Sequence, residues 1–169
     1  AKATYFGLMT EIDEQLGRVF DYLKATNQYD STLIVFTSDH GEQLGDHYLF
    51  GKLGYFDASY HIPLIIRDPK RQLHKVKTLE HFSESVDVMP TILDWLGLEI
   101  PDQCDGTSLL PFLENEVPRN WREEVHSEFD FRWIGSYQPM IEERFGLLPD
   151  ECSLVIIRDA DYKYVHMTA

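Results

Sequence analysis

A carboxylate and an imidazole stand side by side at Asp39 and His40, in the stretch Ser38-Asp39-His40-Gly41-Glu42-Gln43-Leu44-Gly45-Asp46-His47-Tyr48-Leu49-Phe50-Gly51-Lys52. An anionic oxygen next to a ring nitrogen suits a divalent ion of hard or borderline character. Two ligands do not complete a metal site, so the others must come from elsewhere. Gly41 lets the backbone turn sharply directly after the pair. Lys52 follows in a loop with Gly45, Gly51 and Gly54 that can fold back toward the same spot. A lysine there can supply positive charge to an anionic group in a transition state. His47 can donate a proton or hydrogen-bond a ligand. The competing account is structural: Asp39 caps a helix, His40 is a satisfied half-buried histidine and Lys52 is a surface charge.

The elements around this stretch place it at the end of a strand. Tyr5, Leu8, Met9, Ile12, Leu16, Val19, Phe20 and Leu23 recur at helical spacing and predict a helix over 4–24 with one apolar face to bury. Thr32-Leu33-Ile34-Val35-Phe36-Thr37 is a continuous β-branched and aromatic run, which reads as a strand buried on both faces of a parallel sheet. In open α/β sheets chemistry collects at the carboxyl ends of strands, where Asp39 and His40 fall. Ile62 to Ile66 predicts a neighbouring strand, with Pro63 near its start. Residues 86–96 predict a helix with Met89, Ile92, Leu93 and Leu96 inward, Pro90 in the first turn and Gly97 closing it. Leu109 to Leu113 reads as a short helical turn and Val125 to Phe129 as a strand. Leu154 to Ile157 and Tyr162 to Val165 flank Asp159-Ala160-Asp161 as a hairpin.

Composition narrows the classes. The 169 residues are 43% hydrophobic and 26% charged, a globular balance, and no apolar run approaches the ~20 residues of a membrane span. Fifteen basic against 29 acidic residues leave a net charge of −14, which argues against a nucleic-acid binder held by its field. The charge is uneven. Arg67, Lys70, Arg71, Lys75 and Lys77 oppose a single acid, Asp68, whereas Val86 to Glu151 holds 15 acids and four arginines. Cys104 and Cys152 do not make a disulfide framework and read as free thiols of a cytoplasmic protein. The common phosphate-loop, dinucleotide, zincin and nucleophile-elbow motifs are absent.

The stretch SDHGEQLGDHYLFGK resembles the sulfatase branch of the alkaline phosphatase superfamily, whose pattern is S/T-D-H/N-G, then L-G-x-H, then G-K. Three further segments agree in order. His61-Ile62-Pro63-Leu64-Ile65-Ile66 followed by Asp68-Pro69 is similar to the family's V-P-L-I strand. Asp87-Val88-Met89-Pro90-Thr91-Ile92-Leu93 is similar to its D-x-x-P-T-L-L helix. Asp161-Tyr162-Lys163-Tyr164 is similar to its late x-Y-K-Y hairpin. The flavour is nearest to phosphonate monoester hydrolases and arylsulfatase-like enzymes.

The resemblance implies an α/β fold: part of an alkaline-phosphatase-like mixed, mostly parallel sheet with flanking helices, plus a small antiparallel C-terminal sheet. Residues 1–115 would be the C-terminal part of the catalytic domain and 116–169 a smaller antiparallel region. The implied activity is hydrolysis of sulfate, phosphate or phosphonate esters with one divalent metal, manganese or calcium. By matching position Asp39 and His40 would be metal ligands and Lys52 would contact the charged substrate oxygens, with His47 as a further catalytic candidate. The family's nucleophile lies in a C/S-x-P-S/A-R motif whose Cys becomes formylglycine, and neither Cys104 nor Cys152 sits in one. The nucleophile is therefore expected in an N-terminal part before Ala1, leaving this piece with little activity alone. The expected partner is a small anionic ester, with homo-oligomerisation also in view and neither nucleic acid nor membrane. Two alternatives stand: a non-catalytic α/β binding or assembly module, and another superfamily member such as a phosphodiesterase or phosphomutase.

Overall fold

The computed structural model describes residues 1–71, 78–130, 142–144, 146, 148 and 152–168. Lys75 and Lys77 of the basic segment lie outside the described residues. The chain divides into two compact units, Ala1–Lys75 and Val76–Ala169. Among the described residues no helix is long and apolar enough to cross a membrane.

The first unit opens with α1 (Lys2–Ala25), where the helical spacing placed it. Asn27, at φ 57°, ends it, and the Thr26 hydroxyl donates to the Tyr22 carbonyl at 2.8 Å. The expectation that its apolar stripe is buried does not hold. Leu8, Met9, Ile12 and Val19 are each about half exposed, and no residue of the helix is fully buried. Periodicity states which side of a helix seeks cover; it does not supply the cover. The C-terminal end is anchored: Phe20 meets Tyr29 edge-on at 6.2 Å, and the Arg67 guanidinium lies 3.7 Å from the Tyr29 ring centre. Arg67 also donates to the carbonyls of Tyr29 at 2.6 Å and Thr32 at 3.3 Å.

Arg67 ends β2 (Leu64–Arg67), which pairs with β1 (Ile34–Thr37). The register runs from Ile34 opposite Arg67 to Thr37 opposite Leu64, and the pairing is antiparallel. This corrects one expectation: β1 is a partly exposed member of a two-stranded sheet rather than a central strand buried on both faces, and its partner among the described residues runs antiparallel. An apolar run reports a demand for burial on both faces, but strand direction depends on a partner thirty residues away. Between the strands lies the short helix α2 (Asp57–Tyr60), whose Ser59 is buried.

In the second unit, a turn at Ser85–Asp87 leads into α3 (Val88–Leu96), with Pro90 in its first turn and Gly97 closing it at φ 69°, a left-handed conformation that favours glycine. Its buried side is not the apolar one expected. Pro90 and Thr91 are inside, whereas Met89, Ile92 and Leu96 are exposed and Leu93 is half-buried. A polar network turns the helix this way. The Asp87 carboxylate, fully buried, accepts hydrogen bonds from both Arg122 guanidinium nitrogens, from Glu84 N–H and from Thr107 N–H. Asp87 holds Arg122 above its ordinary pKa through that hydrogen bond, against the opposing effect of burial. The Thr91 hydroxyl donates to the Asp87 carbonyl at 2.6 Å and accepts from Leu109 N–H at 2.9 Å.

That last bond brings in α4 (Leu110–Leu113) and the core residues Leu109, Leu110 and Phe112. Trp121 packs edge-on against Phe112 at 4.6 Å and donates its indole N–H to the Phe82 carbonyl. The strands β3 (Val125–Asp130), β4 (Ser153–Arg158) and β5 (Lys163–Thr168) form the antiparallel sheet expected, in the order β3-β4-β5, with Leu154 and Ile156 of β4 buried. The Asp159 carboxylate closes the β4–β5 turn by accepting from the N–H groups of Asp161 and Tyr162. Cys104 and Cys152 are both free thiols, as expected.

Candidate active site

The chain leaves β1 at Thr37 and turns at once. The Ser38 hydroxyl donates to the His40 carbonyl at 2.6 Å, and the Asp39 carboxylate accepts the His40 backbone N–H at 3.0 Å. Gly41 then runs against α2, donating its N–H to the Ser59 carbonyl at 2.9 Å. A Cβ at residue 41 would collide with the Ala58 carbonyl oxygen, so only glycine allows this approach.

These constraints orient two side chains. His40 Nδ1 lies 2.7 Å from the Gly41 carbonyl oxygen, which can only accept, so Nδ1 carries the proton it donates. In the neutral ring Nε2 then keeps its lone pair, and it lies 3.5 Å from Asp39 Oδ2. Burial pushes the Asp39 carboxyl up, but His40, the backbone N–H groups of Asp39 and His40, and the Lys52 charge together hold it below its ordinary value. Asp39 is thus an anion at neutral pH, with 83% of its side chain exposed. Two lone-pair-bearing atoms this close repel unless a proton or a cation lies with them. An anionic oxygen and an imidazole nitrogen facing one space are a donor set that a divalent cation fits. Among the described residues no three His, Cys, Asp or Glu side chains gather as a metal site, so the pair would be part of a larger set.

The following loop carries Lys52. Its ammonium is exposed and, among the described residues, makes no hydrogen bond or ion pair, but its charge acts on Asp39. Asp39 and His40 thus face each other, and the Lys52 charge reaches Asp39. His47 sits at φ 55° with its ring stacked on Phe56 at 3.8 Å, and among the described residues no hydrogen bond joins it to Asp39, His40 or Lys52.

Two residues without any role in the sequence reading stand inside this site. Glu42 Oε1 accepts the backbone N–H of Gly51 at 2.6 Å and of Leu44 at 3.1 Å, and these two donors hold its carboxyl below the ordinary value. Gln43 is fully buried, and its side-chain amide donates to the Leu53 carbonyl and to the Ser59 hydroxyl. Their bonds reach 9 to 16 residues along the chain, which no local pattern announces.

Comparison with known proteins places the chain in a family. A family model described as Sulfatase matches residues 1–98. The chain is 58% identical over 168 residues to the multifunctional alkaline phosphatase superfamily protein PehA of Trinickia caryophylli, covering 99% of the chain and 32% of that protein. It is 38% identical over 133 residues to an arylsulfatase of Clostridium perfringens, covering 78% of the chain and 27% of that protein. A solved phosphonate monoester hydrolase from Silicibacter pomeroyi superposes with a TM-score of 0.89 at 46% identity, covering 99% of this chain and 33% of that one. The chain thus spans about a third of the length of these relatives. With a family model matched over residues 1–98 and relatives aligned over nearly its whole length, the chain has an alkaline-phosphatase-like α/β fold and belongs to the sulfatase family.

Proposed function

We propose that this chain is part of a hydrolase of sulfate or phosphonate esters, in which Asp39 and His40 are two ligands of a divalent cation and Lys52 holds the charged oxygens of the ester. The observation that carries this reading is the facing pair, with His40 Nε2 and Asp39 Oδ2 3.5 Å apart while Nδ1 is tied to Gly41. The family relationship to an arylsulfatase and to phosphonate monoester hydrolases supports the substrate class. When bound, calcium or manganese would supply positive charge to the ester oxygens as negative charge develops there.

The chain's own residues divide the remaining work. Ser38 and Gly41 fix the turn that aims the pair. The Gly41 carbonyl selects the His40 tautomer that leaves Nε2 free to ligate. Lys52 keeps its ammonium available, because it is not spent on an ion pair among the described residues. In a chain of net charge −14, that local positive charge also helps to admit an anionic ester. His47 is assigned no step in this reading; its ring stacks on Phe56. The nucleophile, a formylglycine, comes from a part of the protein outside this chain.

The test is metal content and turnover of the full-length protein carrying Asp39→Ala or His40→Ala. After dialysis, both variants should lose bound metal and hydrolysis of an aryl sulfate and an aryl phosphonate monoester together. Unchanged metal stoichiometry in both would overturn the assignment.

A further inference from the structure

Lys52 is the candidate cation of the site, yet nothing in the described residues bonds its ammonium. Its position is set by its backbone, and that backbone is gripped on both sides by two consecutive residues. Glu42 Oε1 accepts the Gly51 N–H at 2.6 Å, and the Gln43 N–H donates to the Gly51 carbonyl at 3.0 Å. On the other flank the Gln43 amide donates to the Leu53 carbonyl. Both peptide groups of Gly51 and the carbonyl of Leu53 are thereby tied to residues that follow directly on Asp39-His40-Gly41.

The grip shows signs of being held against local preference. Leu44, immediately after it, has φ 53°, a left-handed conformation that a branched side chain rarely adopts, and Glu42 accepts its N–H. Gln43 is fully buried, and among the described residues its Oε1 has no hydrogen-bond donor. A buried amide with one unpaired acceptor is unfavourable for folding by itself. Its two donor bonds, to Leu53 and to Ser59 on α2, tie the Lys52 loop to the same helix that seats Gly41.

We infer that Glu42 and Gln43 are positioning residues for Lys52, a clamp that fixes its ammonium relative to Asp39 and His40; this rests on the role proposed above for Lys52. The clamp grips the peptide groups that flank Lys52, whereas the Asp-His pair is held by its own bonds through Ser38 and Gly41, so loosening the clamp displaces the charge that meets the substrate more than it displaces the pair.

The test is a pair of double-mutant cycles in the full-length protein, Glu42→Ala with Lys52→Ala and Gln43→Met with Lys52→Ala, with amide hydrogen exchange of the 51–53 segment as a second readout. Each clamp variant should lower kcat by about 10- to 100-fold with KM changed less than about threefold, because misplacing a catalytic group by an ångström costs on that order. Metal content should stay at the parent level and exchange at 51–53 should accelerate. In the Lys52→Ala background either clamp substitution should cost no more than about twofold, and Glu42→Gln, which keeps an acceptor oxygen, should restore most of the rate. Losses that multiply in the double variants, or clamp variants with parent kcat, overturn the clamp while leaving Lys52 in its role. Parent kcat in Lys52→Ala itself overturns that role and the clamp with it. Should Gln43→Met fail to fold, the Glu42 cycle decides alone.

Discussion

Asp87 is the residue whose loss the fold should feel most. It is fully buried and its carboxylate receives Arg122 through two nitrogens together with the backbone N–H groups of Glu84 and Thr107. Asp87→Ala removes all four acceptor contacts. Arg122, its side chain only 18% exposed, is left with Glu84 at 3.2 Å as its remaining carboxylate partner among these groups. Breaking one side of a buried ion pair costs about 3–5 kcal/mol. The two stranded N–H groups would add about 1–3 kcal/mol each if they stayed dry. Water entering the vacated space cancels part of that, so the lower figure, about 3–5 kcal/mol, is the expected total. If this chain unfolded as one unit of its size, the melting temperature would fall by about 6–20 °C. Urea unfolding followed by tryptophan fluorescence suits the measurement, because Trp121 packs on Phe112 and is bonded to Phe82 in the same unit. Arg122→Met and the double variant complete the cycle, and the double variant should be at least about 1 kcal/mol more stable than the sum of the singles implies. An Asp87→Ala cost below about 1 kcal/mol, or additive singles, would refute the claim that this network holds α3 in place.

Lys52→Ala in the full-length protein should lower kcat by about 10²- to 10³-fold, the equivalent of ~2.7–4 kcal/mol for a lost oxyanion partner, with a smaller change in KM; steady-state kinetics on an aryl ester would read this, and an unchanged kcat/KM would count against it. Gly41→Ala should cost about 1–3 kcal/mol by forcing a Cβ onto the Ala58 carbonyl, and should weaken metal binding because the same peptide orients His40; a variant with parent stability and metal affinity would show that the approach relaxes without harm. Asp159 is held below its ordinary pKa by the Tyr162 and Asp161 N–H groups, so its contribution to the β4–β5 turn is fully present above the unfolded value of about 3.9 and is lost as pH falls through the lower folded value. A carboxyl-carbon NMR titration should place its midpoint below about 3.9, and a midpoint at or above that value would contradict the turn geometry.

Much of this protein is written locally. The extent of α1, the Pro90 and Gly97 boundaries of α3, the short helix at Leu110–Leu113 and the β4–β5 hairpin all follow from spacings and turn residues within about one element's length. The Asp39-His40 pair was legible for the same reason: an apolar strand ending in a carboxylate, an imidazole and a glycine is a local signal. Lys52 stood out as a candidate because glycines mark a loop able to return.

What local pattern could not decide is which surfaces meet. The apolar run 32–37 was the same whether β1 stood between parallel neighbours or, as here, beside one antiparallel partner. The buried side of α3 was chosen against its own apolar stripe by Asp87, through bonds to Thr107 and Arg122 that lie 20 and 35 residues away. Glu42 and Gln43 looked like ordinary polar residues of a loop until Gly51, Leu53 and Ser59 came to them. A single sequence encodes conformational preference over a few residues, because sterics and hydrogen-bonding alternatives act at that range. The partner of a buried carboxylate or amide is fixed only when distant segments close on it, since the cost of leaving such a group unpaired arises only once water has been excluded.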